Sequence, residues 1–262
     1  MTVIHPVHKR VALTPKYVER FRCIGPDCED NCCTGWTVSI DKNTFNAYRK
    51  VEHPVLRARL QNDIKRTRQK QSNSAYARVE LNAETLQCPM MEDRLCSIQQ
   101  HLGEDKLSNT CFSYPRHTVM FKGIYEQSMT LSCPEAARLA LLAPDAFDFV
   151  QSAVYLRPEM DSSIAATHGL DGEGVNAVRM FSLQIMRTRE LELWQRLAVL
   201  GVFCEKLETL LKNAPPIANV ISLVTESEEM IRHGLVADAL QSLVPDYEVQ
   251  AAAFTKLWGR KN

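Results

Sequence analysis

The sequence predicts a mainly α protein, in which an irregular cysteine-rich metal-binding module with a small β-hairpin packs on a helical domain. Three observations carry this. Eight of the nine cysteines fall before residue 134: Cys23, Cys28, Cys32, Cys33, Cys88, Cys96, Cys111 and Cys133. Beyond residue 135, apolar residues recur at three- and four-residue spacing, the period of a helix with one buried face. One stretch, "HTVMFKGIYEQSMTLS" (117–132), has the pattern of a hairpin turning at Lys122 and Gly123. The expected boundary follows the cysteines, with 1–134 as the metal-binding module and 135–262 as the helical domain.

The elements follow in order. "TGWTVSI" (34–40) is a short strand after a cysteine turn. "NTFNAYRKV" (43–51) and "PVLRARLQNDIKRTR" (54–68) are helices, the second with Leu56, Leu60 and Ile64 on one face. "AYARVEL" (75–81) is a strand. "CSIQQHLGEDKLS" (96–108) is a short helix that stops near Gly103. Helices are expected at 135–156, 172–189, 190–213, 218–232 and 246–258. In the third of these, Leu193, Leu197, Leu200, Cys204, Leu207 and Leu211 form a stripe, and Cys204 is expected there as a small buried hydrophobe. Pro215 and Pro216 end that segment. Glycine-rich "LDGEGVN" (170–176) has no strand before it and reads as a helix-start turn, which disfavours a Rossmann-type cofactor loop.

Composition excludes several classes. The 262 residues suffice for a real core, and 45% hydrophobic with 24% charged residues is ordinary for a globular chain. Lysine plus arginine (31) equals aspartate plus glutamate (31), so no overall field directs the chain to nucleic acid or membrane. No apolar run reaches the ~20 residues of a membrane span. "MTVIHPVHKR" lacks the apolar centre of a signal peptide, so the expected location is the cytosol. One local imbalance stands out: Lys42–Lys70 holds nine basic and two acidic residues. It is a solvated face or a dock for an acidic protein surface; sparse aromatics disfavour single-stranded nucleic acid.

In the cytosol thiols stay reduced, so a cysteine cluster points to metal binding or catalysis before disulfides, and the odd count argues against complete pairing. Structural zinc sites favour pairs two residues apart, because that turn aims two thiolates at one tetrahedral ion. The gaps here are four, three, zero, fifty-four, seven, fourteen and twenty-one residues, and none fits. An iron–sulfur cluster is bulkier and accepts thiolates from scattered loops. Cys88 and Cys133 each precede proline, a weak cue in the same direction. Eight thiols exceed the four that one cluster takes, so two sites exist or some cysteines support others.

"CIGPDCEDNCCTGWTVSIDK", "CPMMEDRLCSIQQHLGEDKLSNTCFSYPRH" and "SMTLSCPEAA" together resemble the flagellin lysine-N-methylase family, part of a broader zinc- or iron-chelating group with eight recurring cysteines. The resemblance spans roughly residues 10–140, and the helical remainder matches loosely. It implies methyl transfer from S-adenosylmethionine to surface lysine ε-amino groups of flagellin, and a [4Fe-4S] cluster with all eight cysteines of the module as metal-site candidates. The partner implied is flagellin, with neither nucleic acid nor a membrane span. The spacing of radical enzymes that use this cofactor is incomplete: Cys28 and Cys32 fit, but Gly35 stands where the third cysteine would be. The cofactor is therefore expected at the metal site and not at a glycine loop. Its candidate contacts are Arg116, whose fork suits a carboxylate, and Trp36. Transfer needs a neutral amine, and a lysine pKa of ~10.4 demands a base or a desolvating pocket. The candidate catalytic residues are Tyr114, Asp41 and Glu126, with Tyr125 and His117 behind them. The rival reading is a non-catalytic iron- or zinc-binding module serving storage, delivery, sensing or electron transfer.

Overall fold

The computed structural model describes residues 4–68, 72–157, 170–212, 216–241 and 246–258. The elements are β1 (His8–Pro15), α1 (Lys16–Arg20), β2 (Ser39–Ile40), α2 (Lys42–Tyr48), α3 (Leu56–Asn62), β3 (Ile64–Arg66), β4 (Ala77–Val79), β5 (Met91–Glu92), β6 (Leu95–Cys96), α4 (Ser97–Leu102), α5 (Asn109–Ser113), β7 (Arg116–Phe121), β8 (Ile124–Met129), α6 (Pro134–Leu142) and β9 (Phe149–Leu156). They continue with α7 (Gly172–Arg187), α8 (Leu193–Leu211), α9 (Ile217–Arg232), α10 (Leu235–Gln241) and α11 (Tyr247–Trp258). The chain divides into two compact units, Met1–Ile164 and Ala165–Asn262. Among the described residues no helix is long and apolar enough to cross a membrane.

The first unit is α/β rather than mainly α. Its frame is a four-stranded sheet in the order β7-β8-β1-β9. β1 pairs parallel with β8, and antiparallel with β9 along its whole length, from His8 opposite Leu156 to Pro15 opposite Phe149. The expected helix 135–156 is therefore half wrong. α6 stops at Leu142, two residues before Pro144, which cannot continue it. In β9 the even-numbered residues turn inward, ending with buried Val154 and Leu156. That period of two was legible, but its partner β1 lies 134 to 148 residues upstream, from Pro15 opposite Phe149 to His8 opposite Leu156, and only the fold brings it there. The pairing places α6 and β9 in the first compact unit with the cysteine segment.

The hairpin is as expected. β7 and β8 are joined by Lys122 and Gly123, both at positive φ (49° and 79°), the type I′ geometry that matches strand twist. The segment 54–68 begins as helix α3 and finishes as strand β3, in the sheet β2-β4-β3. Among the described residues two larger apolar clusters fill the unit, beside a small one of Ala12, Val154 and Leu156. One gathers Val38, Ile40, Tyr48, Leu56, Leu60, Ile64, Val79 and Met90, with Cys88 among them. The other gathers Tyr17, Val18, Phe21, Met129, Ala136 and Ala140, with Cys133. Tyr17 ties the second cluster to β8, its hydroxyl accepting from Met129 N (2.9 Å).

The second unit is helical. Asp171 caps α7, accepting from Glu173 N (3.0 Å) and Gly174 N (2.9 Å), so "LDGEGVN" is a helix start. Phe181 of α7 meets Phe203 of α8 at 4.4 Å between ring centres, and Val220 and Val224 of α9 are buried with them. Cys204 corrects an expectation: it is exposed, as are Leu193 and Leu197, while Phe203 and Leu207 face the core. α8 is apolar on more than one side, so spacing alone does not select the buried face.

Candidate functional site

Short turns present the cysteines. Asn31 Oδ1 accepts from Cys33 N (3.0 Å) and Thr34 Oγ1 (2.8 Å), which folds the chain tightly around the adjacent pair. Cys28 closes a 3-10 turn over Gly25–Asp27 by donating its N–H to Gly25 O (3.2 Å), and Arg94 donates to its carbonyl. Arg94 and Cys96 belong to the small hairpin β5–β6, whose turn residues Asp93 and Arg94 are both at positive φ. Cys96 and Cys133 are the N-cap residues of α4 and α6, and Pro134 at the first position of α6 explains that cysteine–proline pair as a helix start. Cys111 lies in α5, its N–H capped by Ser108 Oγ (3.3 Å).

These turns bring together what the sequence scatters. Cys23, Cys28, Cys32, Cys33, Cys96, Cys111 and Cys133 line one cavity of about 220 Å³. Cys88 does not line it. It is buried in the first apolar cluster and braces the site from behind, donating its N–H to Cys33 O (2.6 Å). All nine cysteines are free thiols. Burial pushes Cys88 up to about 11 and Cys111 up to about 12, and also raises Cys96 and Cys133. A hydrogen bond inside the adjacent pair lowers Cys32 and raises Cys33. Charges on Cys96, Cys88 and Cys32 oppose ionisation of Cys111, so Cys88, Cys96, Cys111 and Cys133 hold their protons unless a cation enters among them, whereas Cys32 is lowered to about 7. Backbone N–H groups of α4 and α6 work the other way, favouring thiolates at Cys96 and Cys133.

Among the described residues no three His, Cys, Asp or Glu side chains stand ready around one ion position. The donors instead surround a volume. Seven thiols around one cavity are donors of the kind that hold a thiolate-bound metal group.

Tyr114 and Arg116 both line this cavity. Burial raises the Tyr114 phenol, whose hydroxyl lies 3.2 Å from Ser132 Oγ. At neutral pH it stays protonated and serves as a donor rather than a base. Trp36 is one layer back: it packs on Tyr114 at 5.5 Å between ring centres and donates Nε1–H to Cys32 O (2.9 Å). Asp41 lies elsewhere, capping α2 through Thr44 N (2.9 Å) and Thr44 Oγ1 (2.6 Å), with His5 Nε2 at 3.2 Å. Glu126 sits in β8 opposite Val119 and Leu13, and lines neither this cavity nor its neighbour. His117 is exposed on β7.

The neighbour is a cleft of about 690 Å³ that shares Phe21, Glu104, Phe112 and Arg116 with the cysteine cavity. The smaller space is below the ~300–1,000 Å³ of ordinary ligand sites and the larger is within it. Sequence reasoning missed three residues here. Gln127 is 4% exposed and lines the cleft; the alternation of β8 places it on the inward face with Met129, a signal present in the hairpin pattern. Glu104 lies on the 3-10 turn Glu104–Lys106, which has no chemical signature. Arg157, fully buried, holds that turn by donating to Leu107 O (2.8 Å), Asn109 Oδ1 (3.1 Å), Glu104 O (3.3 Å) and Asp105 O (3.4 Å), with its guanidinium 3.9 Å from the Phe112 ring centre.

The FliB lysine N-methylase C-terminal domain family model matches residues 179–262, within the helical unit that the sequence resemblance touched loosely. A lysine-N-methylase of Salmonella typhimurium is 35% identical over 148 residues, 56% of this chain and 36% of that protein. One of Salmonella choleraesuis is 34% identical over 148 residues, again 36% of its length. The flagellar biosynthetic protein FliU of Salmonella muenchen is 36% identical over 140 residues, 53% of this chain and 82% of that protein. The chain thus spans little more than a third of the lysine-N-methylases and most of FliU. No solved structure matches it significantly.

Proposed function

The chain belongs to the FliB lysine N-methylase family, and from that premise we propose that it methylates lysine ε-amino groups of flagellin with S-adenosylmethionine as donor, in dependence on a [4Fe-4S] cluster. One observation carries the reading beyond the family: a cavity lined by seven cysteines shares a wall with a ligand-sized cleft. A closed thiol site with no neighbouring cleft would instead favour the non-catalytic metal module.

The cysteines lining the cavity are the candidates to hold the cluster, and the raised thiols of Cys33, Cys96, Cys111 and Cys133 mean that binding at them expels protons. The donor supplies an electrophilic methyl carbon: the lysine nitrogen forms the new C–N bond, the C–S bond breaks with its pair on sulfur, and the nitrogen's proton leaves. Every other role belongs to side chains. Arg116, on the shared wall, pairs with the donor's carboxylate. Phe112 and Tyr155 line the cleft and strip water from the incoming ammonium, which lowers its pKa toward the neutral amine. Tyr114 donates a hydrogen bond from the cysteine side, and Trp36 fixes its ring.

Protein purified without air is expected to be brown, with about four irons and four sulfides per chain, and to transfer labelled methyl groups to flagellin. Stoichiometric zinc in a colourless preparation removes the cluster from this reading. Absence of transfer by an iron-loaded preparation favours the non-catalytic module.

A further inference from the structure

The cleft beside the cysteines presents both signs of charge along one open groove, with Arg116 and Glu104 both exposed in it. We propose that it reads the α-amino acid head of its ligand, taking the carboxylate at Arg116 and the ammonium at Gln127 and Glu104. The ligand's identity as the methyl donor rests on the reading above; the head-group chemistry stands on the cleft itself.

Register brings two of these residues together. Thr118 pairs with Gln127 and Arg116 with Met129 across β7 and β8. Cross-strand partners share a face, so Arg116 and Gln127 are diagonal neighbours about 7–8 Å apart at the backbone. Side chains of their length close around two poles of one small head group. Gln127 is the more telling. Its Nε2 donates to Thr118 Oγ1 (2.8 Å), and among the described residues its Oε1 has no hydrogen-bond partner, although the residue is 4% exposed. That oxygen is open to the cleft, where it can accept from water or from a ligand N–H.

Glu104 faces the same space from the opposite element. Of the carboxylates at the cleft, Glu19 accepts from Ser152 and Asp105 pairs with Lys106. Glu104 has no ion pair among the described residues, and Arg157 pins its backbone. A purely anionic ligand would confront Glu104; a purely cationic one would confront Arg116. A zwitterion satisfies both and meets Gln127 Oε1 with an ammonium proton, while Val154 and Tyr155 offer apolar wall to the remainder.

The test is calorimetric titration of the full chain, purified anaerobically, with four probes: S-adenosylhomocysteine, its analogue without the amino group, its analogue without the carboxylate, and L-methionine. Loss of either pole is expected to weaken binding about tenfold or more. Glu104→Gln and Gln127→Met weaken the parent by a similar factor and leave the amino-free analogue unchanged. Arg116→Gln does the same against the carboxylate-free analogue. Gln127→Glu keeps an acceptor and retains binding, which separates recognition from misfolding. Equal affinity for parent and amino-free analogue overturns the head-group assignment and leaves the methyl-donor reading standing. So does an unchanged difference in both ammonium-side variants. Methionine bound with these sensitivities, while S-adenosylhomocysteine is not bound, supports the head-group assignment and removes the methyl donor. Binding of neither overturns the assignment.

Discussion

Replacing Arg157 with methionine keeps most of its volume and removes the hydrogen bonds it donates to Leu107, Asn109, Glu104 and Asp105, together with the contact on Phe112. Leu107 is buried, so its carbonyl finds no easy water. An acceptor stranded in that way costs about 1–3 kcal/mol, and a desolvated cation–π contact contributes about 2. The carbonyls of Glu104 and Asp105 are nearer solvent and recover part of their loss. The expected total is roughly 3–5 kcal/mol, a large share of the ~5–15 that a domain commands. Arg157→Lys keeps the charge but not the fork that reaches several carbonyls, and roughly half that loss is expected. The turn that Arg157 holds leads directly into α5, where Ser108 caps Cys111. Metal retention should therefore weaken as well. Urea unfolding, read by hydrogen exchange of peptides from the first unit, measures the stability term; iron content after dialysis measures the second. A change below about 1 kcal/mol in Arg157→Met, with iron retained, would refute the reasoning.

Cys204→Ala should keep the metal, being exposed on the second unit, while Cys28→Ala or Cys111→Ala should lose it; equal iron loss in all three contradicts the cavity assignment. Metal-free protein should weaken with alkali. Cys88 and Cys111 are raised in the folded state, so their contribution is fully present below the unfolded thiol pKa of ~8.5 and is lost as pH climbs through about 11 to 12. Thermal melts across that window that stay flat would show these thiols are not buried. Charge reversal at Arg57, Arg59, Lys65 and Arg66 should weaken flagellin binding and flatten its salt dependence without removing metal. Arg59 pairs with Glu92 (3.1 Å), so a variant sparing Arg59 controls for stability; identical salt dependence in both identifies the face as solvated surface.

Local chemistry made much of this protein legible before any coordinates. Lys122-Gly123 specifies its hairpin because glycine tolerates positive φ. Gly103 ends α4 for the same reason, and α2 and α4 arise where the pattern predicts them. The cysteines declared a thiol site through their density and their lack of zinc spacing. Tyr114 and Arg116 lie at that site, whereas Asp41, equally plausible as a lone carboxylate, is used to start a helix. What local pattern cannot carry is distance. β1 meets β9 only when the intervening chain has folded between them, and that closure makes the first unit α/β and places β9 within it. The face that α8 buries depends on Phe203 meeting Phe181, not on the period of its leucines. The cysteine cavity, the cleft beside it and the roles of Glu104, Gln127 and Arg157 exist only where separate turns converge. No single segment encodes such a juxtaposition, because hydrogen bonding and burial across it are set by the packing of distant elements.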